Sequence, residues 1–329
     1  MSLTAIILAA GKSTRMKSRR PKGLHEICGR PMLHYILKAC YDAGCERILM
    51  VVGHGKDEII DAFGEDKRIA FIEQTDQLGT GHAAKVCEPE LKKLQGDVFI
   101  LAGDVPLVRS QVLTTLQRAH HEEHAAASMA TAVLDDPTGY GRIVRDKDGN
   151  FVEIVEQIDC TDEQREIREV FPSYYCVRVE DLLLALARLK NDNKKHEYYL
   201  TDIYAILRQA GKKVVAVQAA TFEDVVAPNN RQQLADADDV MQARIHQQHR
   251  DAGVTIVSGV NTYIEDGATI GPDTIIQPFS FIGRDATIGA DSCVGPFASV
   301  ARGAIVPEGT NICGNISVET TVLSQGRGG

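Results

Sequence analysis

The sequence predicts an α/β fold, a Rossmann-like sheet domain, followed by a short left-handed parallel β-helix. Three observations carry this prediction. Short apolar runs rich in β-formers alternate with helical patterns through residues 1–229, the arrangement of a parallel, doubly wound sheet. Ile264, Ile270, Ile276, Ile282, Ile288, Val294, Val300, Val306, Ile312 and Val318 then fall every six residues without a miss, the hexapeptide period of a β-helix. Between the two, residues 231–251 carry a thin stripe of Leu234, Val240, Met241 and Ile245 among many Asp, Gln and His, which reads as a polar linker helix. The expected domains are 1–229, a linker over 230–252, and the β-helix over 253–329.

Composition narrows the function classes. Charged residues are 25% and hydrophobic ones 44% of 329 residues, with a net charge of −9, an ordinary globular balance. There is no block of basic residues, so a general nucleic-acid face is disfavoured. The eight cysteines form no CxxC and no zinc spacing, which suits reduced, buried thiols in a cytoplasmic protein. The N-terminal apolar run is too short to span a membrane and lacks a charged region before it, so neither a membrane partner nor a secretory signal is expected.

The first element, Leu3 to Ala10, reads as a buried strand. It opens into Gly11-Lys12-Ser13-Thr14-Arg15-Met16, with Pro21-Lys22 following. A strand running into a Gly/Ser/Thr loop with fixed cations suits polyphosphate: glycine admits close backbone approach, and Lys and Arg neutralise the anion. A Walker A loop is excluded, because Ile6 stands where its first glycine belongs. A GxGxxG fingerprint is excluded by the single glycine. What remains is L-A-A-G-K-S-T-R-M-(x)4-P-K. This resembles the signature loop of sugar-1-phosphate nucleotidyltransferases, of the nucleotide-diphospho-sugar transferase type. Among them it is most similar to the bacterial N-acetylglucosamine-1-phosphate uridyltransferases, with Ser13 in place of the usual glycine. The resemblance implies catalytic roles for Arg15 and Lys22 on phosphate, and nucleotide contacts at Leu8, Ala10 and Gly11.

Pro31 then starts a helix whose apolar residues, Met32, Leu33, Ile36, Leu37 and Cys40, follow three-and-four spacing up to Gly44. Strands follow at 47–52 and 69–72. The next loop, Gln74 to Ala83, reads Q-T-D-Q-L-G-T-G-H-A and is similar to the family's base-binding segment. Gln74 carries both a carbonyl and an amide to match a uracil edge, and the resemblance gives base contacts to Gln74, Gly79 and Thr80. His82 is expected to be a structural histidine at a helix start. The strand over 97–102 runs into Gly103-Asp104-Val105-Pro106. A carboxylate at a strand tip suits Mg²⁺, a hard ion that takes one or two carboxylates plus phosphate oxygens. The family's metal-binding aspartate falls at Asp104. His120, His121 and His124 fail the HExxH pattern and read as a solvated helix end.

Pro137 to Ile143 is similar to the family's P-T-G-Y-G-R-I loop, which implies sugar contacts at Gly141 and, after the next strand, at Glu156. Thr161 is expected to cap a helix. Glu197-Tyr198-Tyr199-Leu200-Thr201-Asp202 matches a family segment and reads as mainly structural, with Thr201 or Asp202 as cap. Val226 to Arg231 is similar to the stretch whose asparagine is the second metal ligand, here Asn229. One departure stands out. Phe171-Pro172-Ser173 occupies the place of the family's Asn-Thr-Gly or Asn-Ser-Gly, which grips the acetamido sugar, so sugar identity is less fixed than reaction class.

In the hexapeptide array a small residue, Ala, Thr or Ser, precedes each aliphatic by two positions from 268 to 310, and Gly follows it at 271, 283, 289 and 295. Phe279, Phe281 and Phe297 fall at outward positions. The resemblance implies a homotrimer formed through this prism. It also implies a UTP-dependent uridylyltransferase using Mg²⁺ and N-acetylglucosamine-1-phosphate. The alternatives are the same chemistry on another hexose-1-phosphate or nucleotide, a β-helix acyltransferase, and a non-catalytic scaffold. No histidine follows His249, which counts against the acyltransferase.

Overall fold

The computed structural model describes residues 3–319 apart from 13, 194 and 315. Ser13, and residues 320–329 of the expected β-helix stretch, therefore lie outside the described residues. The chain divides into two compact units: residues 1–25 with 32–230, and residues 26–31 with 231–329.

The strands of the first part of the chain are β1 (Thr4–Leu8), β2 (Glu26–Ile27), β3 (Arg30–Pro31), β4 (Arg47–Val52), β5 (Ile69–Glu73), β6 (Asp97–Ala102), β7 (Ala127–Val133), β8 (Gly141–Arg145), β9 (Phe151–Val155), β10 (Glu169–Phe171), β11 (Tyr174–Arg178) and β12 (Val214–Gln218). In the first unit one sheet runs β5-β4-β1-β6-β11-β7-β10-β8-β9, with β12 paired to β7. The parallel pairing expected from the strand–helix alternation holds from β5 to β6. Beyond β6 the sheet is mixed: β11 is antiparallel to β6 and β7, and β12 lies parallel to β7. Ile6, Ile7, Leu49 and Met50 are fully buried, because a central parallel strand is covered on both faces and needs apolar residues at every position. The helix Met32–Asp42 buries Leu33, Ile36, Leu37 and Cys40, the stripe that its sequence spacing predicts. Thr161 caps the helix Asp162–Arg165 in a reciprocal capping box with Gln164.

The end of the helix Ser110–Glu122 differs from the expected solvated histidine cluster. His120 is only 1% exposed. Its Nδ1 lies 2.9 Å from Ser128 Oγ, and Asp97 lies beside its other ring nitrogen. The helix end sits over the buried starts of β6 and β7, so a polar ring was enclosed and had to find partners.

The second unit combines the β2–β3 hairpin, the helix Arg231–Asp251 and the β-helix. The hairpin leaves the sheet unit after His25 and rejoins it at Met32. Asp238 accepts a 2.7 Å hydrogen bond from Cys28 N, and Gly29 O accepts one of 2.7 Å from Arg284 Nη1. The β-helix stacks parallel strands on three faces: Thr255–Ile256, Ile275–Ile276, Cys293–Val294 and Asn311–Ile312 on one, Thr262–Ile264, Ser280–Ile282, Ala298–Val300 and Ile316–Val318 on the next, and Thr269–Ile270, Thr287–Ile288 and Ile305–Val306 on the third. Every sixth-residue aliphatic from Ile264 to Val318 is buried. A Cβ on Gly289 would come within 2.4 Å of Glu308 N in the next coil, so the glycine after an aliphatic is a stacking requirement. Corners at 267, 273, 279, 285, 291, 297, 303 and 309 have positive φ. Six of these carry Gly or Asp, whereas Phe279 and Phe297 hold this conformation as bulky residues.

Candidate active site

The loops after β1, β5 and β6 open onto a cavity of ≈ 410 Å³, at the sheet edge where α/β folds bind ligands. Leu8, Ala10 and Gly11 line it from the end of β1, Arg15 and Lys22 from the loop that follows, Gln74, Gly79 and Thr80 from the β5 loop, and Asp104 and Asn229 from two further loops. Gln74 is 4% exposed. Its Nε2 donates to Gly79 O at 3.2 Å and lies 3.1 Å from His82 Nδ1, so His82, in the helix Thr80–Lys85, orients the amide. Gly79 has φ +106°, and a Cβ there would meet Tyr198 O at 2.6 Å. Both the dihedral and the space demand glycine. Thr80 Oγ1 accepts from Leu200 N at 3.1 Å, and Gln77 Nε2 donates to Ala10 O at 2.8 Å. The first bond ties the β5 loop to the segment before the helix Asp202–Gln209, and the second ties it to the β1 loop.

Four of the expected residues meet in one cluster. Lys22 Nζ donates to Asp104 Oδ2 at 2.5 Å and to Asn229 Oδ1 at 2.9 Å. Arg15 Nη2 donates to the same Asn229 oxygen at 2.9 Å. The ammonium thus stands between a carboxylate and an amide oxygen, a cation where a cation is wanted. Such an all-oxygen pair fits a hard divalent ion, with phosphate oxygens and water completing the shell. Among the described residues no group of three or more His, Cys, Asp or Glu could hold a metal, so bound phosphates would have to supply much of the coordination. Gly103 allows the approach of β6 to β1, since a Cβ there would lie 2.8 Å from Leu8 O.

A second cavity of ≈ 160 Å³ adjoins the first, with Ala102, Asp104 and Ser173 lining both. Gly141 and Glu156 line it, together with Phe171, the register partner of Gly141 in the adjacent strand, and Pro172. A Cβ on Gly141 would come 2.9 Å from the Ile154 side chain. Burial pushes the Glu156 carboxyl up from its ordinary value, with Asp159 and Asp202 adding to the effect against Lys195. Phe171 is 5% exposed and stands edge-on to Tyr175 at 4.8 Å between ring centres. Thr201 occupies the N-cap position of the helix Asp202–Gln209 without a side-chain cap bond and lines this cavity instead.

Sequence reasoning missed some of the lining. Glu197 and Tyr175 face the larger cavity, although the segment from Glu197 to Asp202 reads as structural. The signal was present in that segment's match to a family motif. Tyr175 carries no such signal, because its strand looks like any buried strand.

Residues 5–199 match the family described as the MobA-like NTP transferase domain. The chain belongs to this family. Its sheet unit is therefore an NTP transferase domain, and the cavity lies at that domain's sheet edge. The chain is 43% identical over 278 residues to "Bifunctional protein GlmU" of Alkaliphilus metalliredigens, 44% over 278 residues to that of Brevibacillus brevis, and 42% over 276 residues to that of Caldanaerobacter subterraneus. In each case the match covers 84% of this chain but 60% of the relative, so the chain spans well under the full length of these proteins. A UDP-glucose pyrophosphorylase solved with UDP-glucose shares the fold, with a TM-score of 0.61 and 17% identity over 74% of this chain and 100% of that one. No helix among the described residues is long and apolar enough to cross a membrane.

Proposed function

We propose that the protein is a uridylyltransferase that converts UTP and N-acetylglucosamine-1-phosphate to UDP-N-acetylglucosamine and pyrophosphate. The observation that carries this reading is the cluster of Arg15, Lys22, Asp104 and Asn229. It sits between a nucleotide-sized cavity and a smaller polar one, with Asp104 lining both. The identity with the GlmU proteins and the signature loops supply the nucleotide and the sugar. A phosphate oxygen of the sugar phosphate attacks the α-phosphorus of UTP, the bond to the bridging oxygen breaks, and pyrophosphate leaves with the electron pair. The nucleophile comes with the substrate, so the protein's task is positioning and charge stabilisation. Arg15 and Lys22 neutralise the triphosphate. Gln74, Gly79 and Thr80 hold the base beside Leu8, Ala10 and Gly11. Glu156 accepts hydrogen bonds from sugar hydroxyls, and Gly141 leaves room for the sugar phosphate. Bound Mg²⁺, held by Asp104 and Asn229, would supply further neutralisation at the phosphate oxygens. Pyrophosphate release, assayed over a panel of nucleoside triphosphates and hexose-1-phosphates, tests the reading. UTP with N-acetylglucosamine-1-phosphate should be among the best pairs, and no release with UTP and any sugar phosphate would overturn it.

A second reading, another hexose-1-phosphate in the same chemistry, is favoured by one observation: the apolar wall of Phe171 and Pro172 in the smaller cavity. We further propose that the β-helix assembles three copies. Phe279 and Phe297, each 55% exposed, stack with ring centres 5.0 Å apart, and a threefold contact would cover them. Light scattering should give a trimer, and a monomer at micromolar concentration would refute it. We assign no acetyl transfer to residues 250–329, which offer no imidazole as a general base.

A further inference from the structure

The position of Asn229 is set by a loop with almost no regular structure. Residues 226–229 lie outside helix and strand, and the preceding turn, Glu223–Val225, is a single 3-10 turn. This turn is nevertheless firmly anchored. The side chain of Asp224 is fully buried. Its Oδ1 accepts from Arg109 Nε at 2.6 Å. Its Oδ2 accepts from Arg109 Nη2 at 2.8 Å, Thr221 N at 2.9 Å and Thr221 Oγ1 at 2.8 Å. A buried carboxylate with this many donors resists displacement, since any shift strands an ion in apolar surroundings. The backbone of the same turn is gripped as well. Asp224 O accepts from the Tyr174 hydroxyl, and Val225 O accepts from the Tyr140 hydroxyl at 2.9 Å.

Tyr140 belongs to the other cavity. It lines the smaller pocket next to Gly141. Its own carbonyl accepts from Arg142 Nη1 at 2.5 Å, and Arg142 Nη2 donates to Gln157 Oε1 at 2.8 Å. Gln157 directly follows Glu156, and its Oε1 also accepts from Gly139 N at 3.2 Å. Arg142 is 1% exposed, so this bracket is internal. A continuous hydrogen-bonded path therefore runs from the loop that presents Asn229, through Tyr140, to the strand end that presents Glu156.

We propose that Asp224 and Tyr140 are positioning residues. Asp224 anchors the loop that places Asn229 against Lys22 and Asp104, and the Tyr140 hydroxyl couples that loop to the sugar-facing pocket. Neither side chain needs to touch the reacting atoms. On this proposal a ligand that orders the Gly139–Gly141 loop tightens whatever Asn229 helps to hold, and by reciprocity the reverse holds with the same factor. The naming of the ligands rests on the proposed function; the anchor and the path do not.

The test uses the full chain and two readouts. Mn²⁺ binding is followed by loss of the free-ion EPR signal in the presence of α,β-methylene-UTP, which cannot react, with and without N-acetylglucosamine-1-phosphate. Pyrophosphate release with UTP gives kcat and KM separately. In the wild type, sugar phosphate should tighten Mn²⁺ binding roughly three- to tenfold, the span of one net hydrogen bond. Tyr140→Phe removes the hydroxyl and should bring that ratio close to one with the thermal midpoint little changed. Asp224→Asn should weaken Mn²⁺ binding about tenfold or more and lower kcat more than it raises the KM for UTP. Arg109→Lys keeps the charge but loses the bidentate geometry and should give a smaller loss of the same kind; it serves as the test if Asp224→Asn does not fold. A purely structural role would lower stability and leave the Mn²⁺ ratio intact. An unchanged ratio in Tyr140→Phe, or no such ratio in the wild type, overturns the coupling. Unchanged Mn²⁺ affinity in a folded Asp224→Asn or Arg109→Lys overturns the anchor. Wild type that binds Mn²⁺ with the analogue but releases no pyrophosphate would overturn the uridylyltransferase reading while the anchor is judged by its own variants.

Discussion

Two aspartates flank the same strand, β6, and the protein uses them in opposite ways. Asp97 is the first residue of the strand and is 8% exposed. Its carboxylate accepts from His121 Nε2 at 2.5 Å and lies 3.4 Å from His120 Nε2, while His120 reaches on to Ser128. Asp104 lies two residues past the strand's other end, with its side chain 31% exposed beside a single lysine. At the first end, rings from a neighbouring helix enclose and satisfy the charge. At the second, the charge is left half open, with a cation that phosphate or metal can rearrange. One end of the strand is enclosed within the fold, and the other opens onto the cavity. An acidic residue beside a strand is therefore informative only together with its partners.

The largest effect should come at the open end. Asp104→Asn should reduce turnover by more than ~100-fold, the scale of losing a key transition-state charge contact, while the thermal midpoint stays near that of the wild type. Near-normal turnover with Mg²⁺ would remove Asp104 from the metal site. Arg15→Ala should follow. Arg15 is exposed and donates to Asn229, so catalytic efficiency should fall at least ~10-fold with stability almost unchanged. A parallel loss of stability would make Arg15 a structural residue like those at the far end.

At the closed end the pattern inverts. Burial disfavours the Asp97 carboxylate, but its contacts with His120 and His121 outweigh that and hold its pKa below the usual carboxylate range. A carboxyl whose folded pKa is depressed contributes stability that is present above its unfolded value and is lost as pH falls through the folded one. That places the loss below about pH 4. Asp97→Asn should lower the thermal midpoint by several degrees at pH 7 and flatten the acid limb of stability, with kcat and KM little changed. A drop in kcat at unchanged stability would mean that the two ends of β6 are not independent.

How much of this was legible in the sequence follows from the same distinction. Lys22, Gln74, Asp104 and Asn229 were legible because they stand in short motifs, and the cavity gathers them from four separate loops. The hexads were legible because an interior column repeats one environment. The burial of His120 has no local sign in the sequence, because it comes from contacts with the starts of β6 and β7. The antiparallel half of the sheet was hidden for a related reason: Tyr174–Arg178 has a buried, apolar composition that suits either direction. The hairpin at Glu26–Pro31 gave no local sign that it belongs with residues 231–329, since its partners Asp238 and Arg284 lie more than two hundred residues away.

The smallest expected effect is a difference between two substrates, and it probes the open end of β6 from the sugar side. The smaller cavity offers polar side chains from Asp104, Tyr140, Glu156, Ser173 and Thr201, and no amide side chain among its lining residues. Where an amide would read an acetamido group, the Phe171 ring packs edge-on against Tyr175 and Tyr204, at 4.8 and 5.9 Å between ring centres. A site that hydrogen-bonds a substrate group rejects analogues lacking it by ~10⁴-fold or more, whereas an apolar wall discriminates by only ~10- to 200-fold. N-acetylglucosamine-1-phosphate should therefore be preferred over glucose-1-phosphate or glucosamine-1-phosphate by no more than ~200-fold in kcat/KM, measured as pyrophosphate release under competition. On the proposed function Glu156 contributes little to that choice, because it would face hydroxyls that all three sugars share. If the other two sugars give no detectable turnover, then a group other than Phe171 reads the acetamido substituent. The apolar wall would then be packing, as enclosed as the Asp97 end of the strand.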